Sequence, residues 1–166
     1  MEYMKLSADE REALLAKLAE MPAYLERELL VLTPQQVLMT GPDEIFSPVE
    51  QAWHLADLER EGFGLRIRRL LSETDPRLPD FDGTAVAAER HYRERSLTEG
   101  LCIFKAARRE NVALLRSISS DSWTRAGEQE GVGPVALCDM PSFMAQHDAA
   151  HRAEIEEWKR ALRERM

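Results

Sequence analysis

The stretch from Met140 to Leu162 constrains the fold more than any other part of the chain. Met140, Met144, His147, His151, Ile155, Trp158 and Leu162 recur at steps of three and four, the period of one face of an α-helix. Two imidazoles thus occupy positions where the pattern asks for apolar side chains. Side chains at i and i+4 lie about 5–6 Å apart on one face, close enough to share one metal ion. A buried imidazole pair without a partner is costly. Whatever packs against this helix must therefore bring a ligand or a hydrogen-bonding network.

A second amphipathic stretch can supply the third group. Ser47-Pro48-Val49-Glu50 has the form of a capping box with Pro at the first helical position. The helix it opens is expected to run to about Ser72 and carries His54 within Trp53-His54-Leu55-Ala56-Asp57. Leu55, Leu58, Gly62 and Leu65 mark its inner stripe, with His54 at the edge. Gly62 and Gly64 each disfavour a helix by roughly 1 kcal/mol against Ala, which points to close packing or a bend. Three neutral imidazoles suit Zn, Ni or Fe and leave coordination positions open, as catalytic rather than structural zinc sites do. The blander reading is a hydrogen-bonded trio of core histidines without a metal. Asp57, Asp148, Glu50 and Glu154 are the carboxylates able to hold a ligand imidazole by its second nitrogen. Asp57, three residues from His54, is the leading candidate. Glu50 is either a fourth ligand or base for bound water, or simply the capping partner of Ser47, the preferred reading. His91, in Arg90-His91-Tyr92-Arg93, belongs to the surface.

The remaining pattern is helical. Ser7-Ala8-Asp9-Glu10 is a capping box opening a helix over 7–32, broken or split at Pro22. Thr33-Pro34 opens a short turn to about Met39, and Thr40-Gly41-Pro42-Asp43 is a loop. Residues 75–83 form a second loop, 85–95 a helix, and Ser96-Leu97-Thr98-Glu99 caps another whose stripe is Leu101, Phe104, Arg108, Val112 and Leu115. The chain is expected to break near Ser96. Residues 123–133, with three glycines, form a polar loop able to border a site, with Trp123 at the opening. The last helix starts near Pro134 or Pro141 and ends near Arg163. Strands are not expected, because no stretch alternates polar and apolar residues with β-branched side chains.

At 166 residues the chain is read as one domain, 1–166, with enough length for a core. A hydrophobic share of 44% with 31% charged residues is that of a folded globular protein. A net charge of −8 argues against nucleic acid, whose binding requires a basic patch. The Arg66/Arg68/Arg69 and Arg108/Arg109 patches are interrupted by acids and are expected on solvated helix faces. No apolar run approaches the roughly 20 residues of a membrane span, and Met1-Glu2-Tyr3-Met4-Lys5 lacks the features of a secretion signal. The cytoplasm is the expected location. Cys102 and Cys138, both in apolar helical contexts, are expected to be reduced and buried. Trp53, Trp158, Met140 and Met144 are expected to pack the core. Triads, phosphate loops and dinucleotide fingerprints are not found.

A histidine on an early helix followed by HxxxH on the last resembles the DinB/YfiT-like superfamily of metal-binding four-helix bundles. The resemblance rests on Trp53-His54-Leu55-Ala56-Asp57-Leu58-Glu59, on Gly131-Val132-Gly133-Pro134-Val135, and on His147-Asp148-x-x-His151, and covers the chain from about Phe46 onward. It implies an all-α, up-down-type four-helix bundle with short additional helices. It also implies a divalent transition metal on His54, His147 and His151, and a homodimer, for which Leu29, Leu30, Val31 and Leu32 offer apolar surface. The implied activity is metal-dependent. It is either a thiol-dependent S-transferase, joining a low-molecular-weight thiol to a small-molecule electrophile, or a hydrolase. The expected site is an acidic-rimmed pocket with the metal at its base. The alternative is a non-catalytic metal-binding or stress-response interaction module.

Overall fold

The computed structural model describes residues 2–166. Helix α1 (Glu2–Lys5) precedes α2 (Ala8–Leu29). The capping box of α2 forms as the sequence predicts: the Glu10 amide donates to Ser7 Oγ at 3.2 Å, and the Ser7 amide donates to Glu10 Oε2 at 2.7 Å. Pro22 lies inside this helix without breaking it. Buried Leu18, Met21, Tyr24 and Leu25 flank the proline on both sides, and their packing outweighs the one backbone hydrogen bond it removes. The helix stops at Leu29, three residues short of the expected end.

The second long helix is continuous from Pro48 to Ser72 but changes pitch. Helix α3 (Pro48–Asp57) passes into a π-helical segment, Leu58–Gly64, and then into α4 (Leu65–Ser72). The wide turns account for one of the two glycines: a Cβ on Gly64 would stand 2.7 Å from the Glu59 carbonyl oxygen. After α5 (Gly83–Glu89) the chain turns through left-handed His91 (φ 51°) into α6 (Leu97–Ser117), capped by Ser96, so the expected break is present. Helix α7 (Met140–Arg165) carries Pro141 in its first turn.

The bundle consists of α2, the α3–α4 rod, α6 and α7. The main contacts join α2 to α6, α2 to α7 and α3 to α6. Helices α2 and α3, consecutive in sequence, are not among the closely packed pairs, so the chain crosses the bundle between them. The central core joins Met21, Leu25, Leu55, Ala56, Phe104 and Ile155 from the four long elements.

Three sequence expectations fail in the outer layer. A small sheet is present: β1 (Arg77–Leu78) pairs in parallel with β2 (Ala126–Gln129), which pairs antiparallel with β3 (Gly133–Ala136). Its strands are too short to display an alternating pattern, and backbone pairing alone defines them. Trp123 does not border an opening. It is buried against Tyr3 of α1, ring centroids 4.7 Å apart. Cys102 is exposed, whereas Cys138 is buried as expected. No helix among the described residues is long and apolar enough to cross a membrane.

Candidate metal centre

The three predicted histidines converge. His54 comes from α3, and His147 and His151 from successive turns of α7. Their ring centroids are 5.5 Å (His54–His147), 5.0 Å (His54–His151) and 4.3 Å (His147–His151) apart. One nitrogen from each lies within 4.8 Å of the others, and the Nε2 atoms of His147 and His151 are 3.1 Å apart. Nitrogens about 2.1 Å from one ion stand about 3.4 Å apart around a tetrahedron, so small ring movements close the site.

The surroundings fit a cation held by neutral imidazoles. His151 Nδ1 lies 2.5 Å from Gln51 Oε1 and 3.1 Å from Glu154 Oε2, and Gln51 Nε2 donates to Glu154 Oε2 at 2.8 Å. This network places the imidazole proton on Nδ1 and turns the Nε2 lone pair toward His147. Burial, with the neighbouring His151 second, pushes His54 down to about 4; burial, with His151 and His54 next, pushes His147 down to about 3. Both rings are therefore unprotonated at neutral pH, the state a metal requires. His54 retains a buried Nδ1 with no hydrogen-bond partner. Only a glycine fits beside it, since a Cβ on Gly83 would fall 2.5 Å from His54 Cε1 and 2.7 Å from Nδ1.

The carboxylates divide differently from the sequence ranking. Glu154 is the one that supports a histidine. Asp57 instead accepts from Tyr92 Oη at 2.6 Å, Arg60 at 2.8 Å and Arg90 at 2.8 Å. Burial works to raise its pKa, and those three donors together hold it below the ordinary carboxylate value. It anchors the α5–α6 connection to α3 rather than orienting a ligand. Glu50 is the capping partner: Ser47 N and Oγ donate to its Oε1 at 3.2 and 2.8 Å. Asp148 points away from the site into a buried network. There Arg108 donates five hydrogen bonds, to Glu59, Asp148 and the Leu18 carbonyl. Neither Arg108 nor Arg66 is on a solvated face, as the sequence had suggested; both are buried. Arg108 stood in the apolar stripe of its helix, which was the available signal. Gln51 and Arg66 carried none. His91 is exposed, as expected.

Two cavities open on the histidines and share His54. The larger, about 470 Å³, is reached by His54 and His147 and walled by Phe63, Phe81 and Phe143, with Arg66, Gln129 and Val132. The loop before α7 thus does border it, through Gln129 and Val132 rather than Trp123. It is largely apolar, with Arg66 in its wall and a single acid, Asp80, at its rim. More acids line the second cavity, of about 350 Å³, where Asp43, Glu44 and Glu154 stand with His54 and His151.

A helical bundle holding a three-histidine cluster between α3 and α7 is the class of protein defined by this fold and site. The chain belongs to the DinB superfamily, which its sequence matches over residues 17–155. Its fold is similar to that of YfiT from Bacillus subtilis, described as a probable metal-dependent hydrolase with an unusual four-helix bundle topology. The TM-score is 0.86 at 21% identity, over 95% of this chain and 90% of that one. It is also similar to a mycothiol-dependent maleylpyruvate isomerase, with a TM-score of 0.71 at 12% identity; 92% of this chain aligns with 62% of the isomerase. No curated protein matches the sequence. At these identities the likenesses establish the fold alone.

Proposed function

We propose that this protein is a metal-dependent enzyme that directs a thiol or water at a small-molecule electrophile. The observation that carries the reading is the convergence of His54, His147 and His151, with His54 and His147 in the wall of a cavity of about 470 Å³. A divalent transition metal (Zn, Ni or Fe), when bound, supplies Lewis-acid activation that lowers the pKa of a thiol or water to near neutrality. The protein's own contribution is positional. His54 and His147, kept neutral by burial, present lone pairs without competition from protons. Gln51 and Glu154 hold His151 in one tautomer. Phe63, Phe81 and Phe143 give the cavity an apolar wall that disfavours bulk water around a reacting anion.

The neighbour described as mycothiol-dependent supports a low-molecular-weight thiol as nucleophile, and the one described as a hydrolase supports water. A non-catalytic metal-binding module would need the histidines but not the cavity beside them. Elemental analysis of tag-free protein, followed by screening electrophiles with several thiols and with water, tests the proposal. Activity is expected to vanish with a chelator, to return with a divalent metal, and to be lost in His54→Ala while His91→Ala retains it. Activity that survived both chelation and loss of all three histidines would refute it.

A further inference from the structure

We propose that Arg66 makes the larger cavity a site for a carboxylate-bearing molecule with an apolar, aromatic-sized body. The inference rests on the reading of that cavity as the substrate pocket and names the class of substrate. The chain buries two guanidinium groups and treats them differently. Arg108 is saturated by two carboxylates and a carbonyl. Arg66 is 6% exposed, yet among the described residues it makes no ion pair. Its contacts are one long hydrogen bond, Nη2 to the Pro79 carbonyl at 3.4 Å, and the Phe63 ring at 5.9 Å. Its Nε is buried with no partner at all. Asp80, exposed at the cavity rim, acts on it only through space.

Buried charges in folded proteins are paired, and a planar guanidinium with free N–H groups matches a carboxylate two bonds at a time. The missing partner of Arg66 is therefore an anion that arrives in the cavity. A second orphan indicates the rest of the ligand. Gln129, 8% exposed, lines the same cavity with a buried Oε1 that accepts no hydrogen bond, and a side-chain rotation would bring this acceptor to a ligand hydroxyl or amide N–H. The remaining wall is aromatic. Phe63, Phe81 and Phe143 suit a flat apolar body, and the volume is that of a small-molecule pocket. His54 and His147 share the cavity, so a carboxylate on Arg66 would orient the body toward the histidines.

The test compares 3-phenylpropionate with its uncharged amide, 3-phenylpropanamide, by calorimetry on the metal-free full chain. The Nε–H signal of Arg66 is followed in parallel by nitrogen-15 NMR. The acid is expected to bind at least about tenfold more tightly than the amide, the scale of one charge-assisted hydrogen bond, and to move the Arg66 signal. Arg66→Gln should reduce that preference to near unity, Arg66→Lys should keep part of it, and the surface variant His91→Ala should keep it whole. Equal binding of acid and amide to the wild-type chain, or no binding of either, overturns the proposal without reference to any variant. So does a preference that survives Arg66→Gln. A preference seen only in zinc-loaded protein and abolished by His147→Ala would place the carboxylate on the metal. This proposal would then fall while the metal-dependent reading stood. Conversely, a chain that took up no metal yet kept the Arg66-dependent preference would uphold this proposal and remove that reading.

Discussion

Gln51 and Glu154 determine which nitrogen His151 can offer, so they matter to the site although neither touches the cluster's centre. Partners of this kind orient ligand imidazoles, and their loss typically lowers metal affinity about 10–100-fold. Gln51→Ala and Glu154→Ala are each expected to weaken zinc binding by that amount in competition with a chromogenic chelator, with circular dichroism unchanged. Asp57→Ala is the informative contrast. Asp57 bonds to Tyr92, Arg60 and Arg90 and to no histidine, so its removal should lower stability while leaving zinc affinity within about twofold. Zinc affinity that fell with Asp57→Ala and held with Glu154→Ala would reverse these roles.

The rod from Pro48 to Ser72 is the element that places the site. His54 lies in its regular first half, and the π-helical segment Leu58–Gly64 begins four residues later. Extra residues per turn shift the register of everything beyond them, so the same rod presents His54 to α7, Glu59 to Arg108, and Arg66 to the cavity. Asn111 of α6 locks the segment, donating from Nδ2 to the Glu59 carbonyl at 3.0 Å and to Glu59 Oε1 at 3.1 Å. Gly64→Ala would push a methyl group to 2.7 Å from the Glu59 carbonyl oxygen and 3.1 Å from Asn111 Oδ1. The expected loss is about 1–3 kcal/mol in urea unfolding. An unchanged midpoint would mean that the wide turns relax without strain.

At the scale of the whole molecule, burying two neutral imidazoles links stability to pH. Unfolded histidine takes up its proton near 6.5, whereas His54 does so near 4 and His147 near 3 in the folded chain. Between those values the unfolded state binds more protons, so lowering the pH favours it. The metal-free protein should be most stable above pH 6.5. Toward pH 4 it should lose up to about 1.4 kcal/mol per pH unit for each of the two histidines. His147→Asn should flatten this slope in urea titrations at several pH values; an equally steep slope would assign it to carboxylates. Beyond α2, Leu30 is 50% and Val31 78% exposed, and we propose this apolar end as the seam of a homodimer. Light scattering at micromolar concentration should return twice the chain mass, and Val31→Glu should return the monomer. A wild-type monomer would overturn that proposal.

The sequence by itself determined the helical architecture and the pairing of His147 with His151 on one helix face, because both are written in short-range periodicity; His54 joined them through the family resemblance. An HxxxH on an apolar stripe, a capping box before His54 and a Ser cap at residue 96 act within one or two helical turns. Tertiary structure alone decided which polar groups meet. Gln51 and Glu154 lie 103 residues apart, and Arg108 meets Asp148 across 40 and Glu59 across 49. Residue spacing cannot rank such partners, which is why Asp57 stood ahead of Glu154. The β1–β2 pairing belongs to the same class, since it joins Arg77 to Glu128 and Leu78 to Gln129, whereas β2 and β3 form a local hairpin. The same physics explains Arg66. Its charge suggested solvent, and only the closing of the bundle and the loop before α7 around it left a buried cation without a counter-ion.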